Sequence, residues 1–156
     1  SNAKEMVHEI AHELSDIDPA NKNKYNTNAE ATSLALDELI NNINQTINKN
    51  ARFVVFHDAY QYFEKRFDIS SAGSLTLNPD ILPGAKQIYD IQNLILTENI
   101  NCIFSEPQFN PKIIETIAKD TNINIGILDP LGANIQSDKF LYFNLINDLS
   151  EKIRNC

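Results

Sequence analysis

Apolar and polar positions along this chain follow two rhythms. One is short and continuous, as in buried strands, and the other recurs at spacings of three and four, as in amphipathic helices. Residues 4–15 show the helical rhythm, with Met6, Val7, Ile10, Ala11 and Leu14 on one side. Asp16-Ile17-Asp18-Pro19 interrupts it, and Asp18 can cap a new helix that has Pro19 at its first position. That second helix is expected to run to about Asn48, as a polar rod with a thin stripe of Leu36, Ile40, Ile43 and Ile47. A β-branched and aromatic run then leads through Phe53-Val54-Val55-Phe56 into His57, and Ala59, Tyr62, Phe63 and Phe67 mark the helix that follows. Further extended pieces are expected at 69–77, 102–105 and 123–128. Helices are expected up to Glu98, over 111–119 and over 137–154, and 78–84 reads as a turn-rich loop. Strands that alternate with helices in this way predict an α/β fold with about four parallel strands and right-handed crossovers.

The pattern places His57 at the carboxyl end of a strand, where open α/β sheets bind their ligands. The strand over 123–128 ends similarly, in Asp129-Pro130-Leu131-Gly132. Both residues are expected to end neighbouring parallel strands, which would put Asp129 within about one ligand shell of His57. Each residue also has a plainer role: a lone histidine usually packs or faces water, and an aspartate before Pro-Leu-Gly can cap its own turn. Glu106, after the strand at 102–105, is expected beside the cleft rather than as a ligand. His8-Glu9-Ile10-Ala11-His12 matches H-E-x-x-H, in which two histidines on one helix face bind zinc and the glutamate acts as a general base. That reading needs a third ligand and a cleft; the only other histidine is His57, at a strand end. No Walker A loop, nucleophile elbow or dinucleotide-binding glycine fingerprint occurs, so the sequence gives catalysis little support and no enzyme is expected.

At 156 residues the chain is long enough for one well-packed core. The formal charge of −8 leaves no basic patch to neutralise phosphates, which argues against a nucleic-acid partner. Asn and Ile each occur 21 times, a bias that an AT-rich genome produces and that carries no function. No apolar run approaches the ~20 residues of a membrane-spanning helix. Ser1-Asn2-Ala3 reads as the remnant of a cleaved expression tag, and the helical pattern begins directly after it, as in a piece of a longer protein. Two cysteines are present, Cys102 at a strand start and Cys156 at the end, and their spacing alone leaves pairing open.

Four segments carry a resemblance: FVVFHDAYQYFEKRF, LNPDILPG, FSEPQFNP and ILDPLGANI, in that order. Together they resemble the second half of the ZnuA-like zinc receptors of ABC transporters, over roughly residues 20 to 156. The resemblance implies two α/β lobes joined by a long helix, with metal held between them. Residues 4–17 would be the last helix of the other lobe, 18–48 the interlobe helix and 49–156 the C-terminal lobe. It implies His57 as a metal ligand, with zinc favoured because manganese-type relatives carry Glu there, and Asp129 as a ligand or a close neighbour of the metal. Two further histidine ligands would belong to the other lobe, so zinc binding by this chain alone should be weak or absent. A Cys102–Cys156 disulfide, a periplasmic location, an ABC permease partner and a monomeric state follow from the same resemblance. A manganese or iron receptor, or an adhesin-like paralogue, is the alternative within the cluster.

Overall fold

A computed structural model describes residues 1–76, 83–119 and 121–156. The chain divides into two compact units, residues 1–45 and 46–156. In the first, α1 (Asn2–Ile17) and α2 (Lys22–Thr46) are joined by a 3-10 turn, Pro19–Asn21. The helices are tied by Lys4 Nζ to Asp37 at 2.7 Å and by His8 Nε2 to Ser33 Oγ at 3.0 Å. Asp18 stands at the N-cap of the 3-10 turn with Pro19 at its first position, though the capping is mainly to side chains. Its carboxylate accepts from Asn21 Nδ2 and the Tyr25 hydroxyl, contacts that draw its pKa below the usual value. Of the expected apolar side of α1, Ala11 is buried, whereas Met6, Ile10 and Leu14 are exposed. On α2, Leu36, Leu39 and Ile43 are buried.

The second unit is a parallel four-stranded sheet in the order β2-β1-β3-β4. Its strands are β1 (Phe53–His57), β2 (Gly73–Thr76), β3 (Cys102–Ser105) and β4 (Asn124–Ile127). Helices α3 (Gln61–Phe67), α4 (Ala85–Thr97) and α5 (Lys112–Ala118) connect them, and α6 (Leu141–Arg154) closes the chain. Alternation along the strands sorts the two faces. Val54, Phe56, Leu75 and Ile103 form one core with Ile91 and Ile95 of α4 and Ile114 and Ile117 of α5. Phe53 and Phe104 meet edge-to-face on the other side, with ring centroids 5.7 Å apart. Gly126 is required there by space: a Cβ would lie 2.5 Å from the Phe104 ring.

Three expectations shift. After His57 the chain makes a tight turn, Ala59 N–H donating to the His57 carbonyl at 2.9 Å, so the helix starts only at Gln61. Its buried residues are therefore Phe63 and Phe67, with Tyr60 buried just ahead of them, while Tyr62 is exposed. The closing helix starts at Leu141 rather than 137, because the Asp138 carboxylate takes the Phe140 amide at 2.7 Å and holds a turn. Strands β1 and β4, expected to be neighbours, are separated by β3. The loop expected over 78–84 lies largely outside the described residues.

Cys102, at the start of β3, is bonded to Cys156 just beyond α6, with their Cα atoms 5.7 Å apart. The link closes a separation of 54 residues. In the chain-entropy view that stabilises the fold by about 4 kcal/mol. Cys156→Ser should lower the unfolding free energy in urea by that order, and reductant should reproduce the loss in the parent chain. A midpoint unmoved by both would show that the link adds nothing to stability.

Candidate metal site

The strand order creates the site. From β1 the chain passes to β2 on one side, then crosses back over β1 to β3 on the other, so the sheet reverses its winding between β1 and β3. Ligand crevices in such sheets lie at the carboxyl ends of the strands flanking that reversal. His57 ends β1, and Glu106 directly follows β3. Their side chains meet there, with Nδ1 of His57 2.6 Å from Oε1 of Glu106. The Glu106 side chain is only 2% exposed, against 21% for His57. Burial pushes the Glu106 carboxyl up, and His57 and the Tyr60 hydroxyl partly offset that by favouring the ionised form. The Tyr60 phenol is itself raised, first by burial and then by the neighbouring Glu106 charge.

One turn aims two more groups at the site, Gln108 and Phe109. Pro107 holds Glu106 in extended backbone, and the Phe109 amide returns to the Glu106 carbonyl at 3.2 Å. Phe109 thereby stacks on Phe56 at 4.8 Å and presents itself edge-on to the His57 ring at 5.9 Å. Gln108 is brought to Asp129, its Nε2 donating to Oδ1 at 2.8 Å. Tyr60 completes the link by donating to the Leu128 carbonyl at 3.3 Å. Three strand ends are thus joined through side chains: β1 by His57 and Tyr60, β3 by Glu106 and Gln108, and β4 by Leu128 and Asp129.

Asp129 is buried and caps its own turn, with Oδ1 accepting from Leu131 N–H at 3.1 Å and Oδ2 from Ala133 N–H at 2.5 Å. Burial alone would raise its pKa, but the bonds from Gln108, Leu131 and Ala133 hold it below the usual value. Gly132, at φ +70°, supplies the left-handed residue that the turn needs.

The carboxylate that reaches His57 is Glu106, expected only as a neighbour of the cleft. A signal for it was present: a glutamate that directly follows the short strand Cys-Ile-Phe-Ser and precedes proline is set at the core edge and needs a partner. His8 and His12 lie on α1, where His8 Nε2 is engaged by Ser33 and His12 is solvent-exposed. Among the described residues, no three His, Cys, Asp or Glu side chains are grouped to hold a metal.

The parallel α/β unit has the fold of solved solute-binding proteins of metal transport. A solved ZnuA structure superposes with a TM-score of 0.81 at 26% identity, over 94% of this chain and 55% of that one. The Zn(II)-bound E280Q variant of AdcAII from Streptococcus pneumoniae gives 0.76 at 29%, over 97% and 57%. The laminin-binding protein Lbp of Streptococcus pyogenes gives 0.78 at 30%, over 94% and 57%. The family described as zinc-uptake complex component A, periplasmic (ZnuA) matches residues 1–156, and the chain belongs to that family. Curated relatives are the high-affinity zinc uptake system proteins ZnuA of Brucella abortus, 40% identical over 99% of this chain, and of Yersinia pestis, 37% identical over 99%. The chain spans about half the length of these relatives, 47% and 49%.

The Asp129 pKa gives a signed expectation. A carboxylate held below its unfolded value near 3.9 contributes stability above that pH, and loses it as pH falls through the folded value. Asp129→Asn should therefore lower stability at pH 7 by roughly 1–3 kcal/mol, with a smaller gap from the parent at pH 3. Urea unfolding at both pH values reads this. A gap that widens on acidification would refute it.

Proposed function

We propose that the protein to which this chain belongs captures zinc in the periplasm and delivers it to an ABC permease. The observation that carries the reading is His57, a partly exposed imidazole at the winding reversal of the sheet, in a chain of the ZnuA family. Neutral imidazole suits zinc, and a carboxylate in its place would favour harder cations. In this reading His57 coordinates the ion, and Asp129 stands at the same cleft as a ligand or as a neighbour that orders the shell. The remaining ligands come from a second lobe, so zinc is cargo held between two lobes and released when they part. Residues 4–17 then close that other lobe, 18–48 bridge the two, and 49–156 form the C-terminal lobe. This chain alone binds zinc weakly, and the receptor works as a monomer without nucleic acid.

The reading is one of coordination, not catalysis. In His8-Glu9-Ile10-Ala11-His12 the first histidine already spends Nε2 on Ser33, which is not the arrangement of two ring nitrogens converging on an ion beside a general base. Zinc added to this chain should produce no cleavage of a peptide library, and Glu9→Gln should change nothing. Zinc-dependent cleavage abolished by that substitution would make the protein a peptidase.

The similarity to laminin-binding Lbp supports a second reading, an adhesin-like paralogue; binding of the two-lobed protein to immobilised laminin would favour it. The principal test is calorimetric titration of that protein with Zn²⁺. His57→Ala should weaken binding at least ten-fold while circular dichroism stays unchanged. Equal affinities would make His57 a structural residue.

A further inference from the structure

We propose that Glu106 is the positioning residue of the metal site: it takes the protonated Nδ1 of His57, leaves Nε2 as the nitrogen offered to the cation, and is itself held by Tyr60. The proposal rests on the zinc reading for its purpose, but not for its geometry. A neutral imidazole carries one proton, and the hydrogen bond made by one nitrogen decides which nitrogen keeps a free lone pair. The 2.6 Å contact between Nδ1 and a carboxylate, which only accepts, assigns the proton to Nδ1.

The arrangement is built rather than incidental. Glu106 is almost wholly buried, so its charge has few ways to be satisfied other than His57 and Tyr60. Adjacent strands β1 and β3 fix the separation of the two backbones. Phe109 packs its ring edge-on to the imidazole and restricts its rotation. Tyr60 is buried, and its single hydroxyl proton is shared between the Glu106 carboxylate and the Leu128 carbonyl 3.3 Å away, which gives the carboxylate a second donor beside His57. A carboxylate behind a metal-binding histidine both orients the ring and makes it a stronger donor, and removing such a partner costs 10- to 100-fold in metal affinity.

The proposal separates two substitutions. In Glu106→Gln the amide oxygen can still accept from Nδ1–H, so the tautomer should persist while the negative charge behind the ring is lost. In Glu106→Leu both are lost. Nitrogen-15 NMR of the imidazole, on this chain without metal and at a pH where the ring is neutral, should find His57 as the Nδ1–H tautomer in the parent and in Glu106→Gln. Glu106→Leu should move it towards the Nε2–H form that free histidine side chains favour. Titration of the two-lobed protein with Zn²⁺ should then show a loss of about 10-fold or more for Glu106→Gln. An Nε2–H tautomer in the parent overturns the proposal, and so does a Zn²⁺ affinity left intact by Glu106→Gln. If Glu106→Leu does not fold, the parent tautomer and the Glu106→Gln titration still decide. A parent Nδ1–H tautomer together with His57→Ala binding Zn²⁺ as tightly as the parent would instead remove the zinc reading and leave the positioning geometry standing.

Discussion

The buried carboxylate of Glu106 is the constraint around which the carboxyl edge of the sheet is organised. A charge at this depth is costly unless it is paired and hydrogen-bonded. The fold meets that cost from two directions, with an imidazole from the neighbouring strand and a phenol from the turn after it. Each partner fixes something else. His57 must stay at the very end of β1, and Tyr60 must sit ahead of α3 rather than inside it, which is why three residues, 58–60, pass before the helix begins. The short Glu106–Phe109 turn then follows from proline at 107, and it delivers Gln108 and Phe109 to the same edge.

Strand order gives this pairing its meaning. Because β3 lies between β1 and β4, His57 and Asp129 do not end adjacent strands. The side chains of β3 and its turn fill the interval: Glu106 faces His57 and Gln108 faces Asp129. Tyr60 spans from the β1 side to the Leu128 carbonyl, so the loop carrying Asp129 is tied back to the same cluster. An edge stitched across three strands moves little when one loop is perturbed. That is the condition a coordination site needs if its geometry is to be set before the ion arrives.

Much of this could be read from the chain before its structure. The four strands stood out because each has a run of β-branched and aromatic residues or a turn signature after it, and the strand-to-helix break at His57 gave the site end of the sheet directly. What was hidden is of two kinds. Helix phase after His57 depends on a local turn, so periodicity alone points to Tyr62 as the core residue where Tyr60 is one. The Asp138 cap likewise delays α6 by a turn that periodicity does not register. The other kind is long-range. His57 and Glu106 are 49 residues apart, and only the sheet order brings them together. An amphipathic pattern fixes which face a residue occupies but not which strand lies beside which. Glu106 was therefore visible as a polar residue near a cleft and not as the partner of His57.

The two ends of β3 divide the labour within the second unit. At its amino end Cys102 is bonded to Cys156, and that link restrains the unfolded chain whatever happens at the cleft. At its carboxyl end stands Glu106, whose raised pKa marks a position held against the preference of a carboxylate for water. Between them run three buried residues, so the two ends stand about 13 Å apart at 3.3 Å per residue. A site that keeps an under-solvated acid and a ring in one fixed orientation is a local cost to stability, of the kind that functional sites carry and the rest of a fold must offset. Here the offset lies on the same strand, far enough away that stabilising the unit does not disturb the pair.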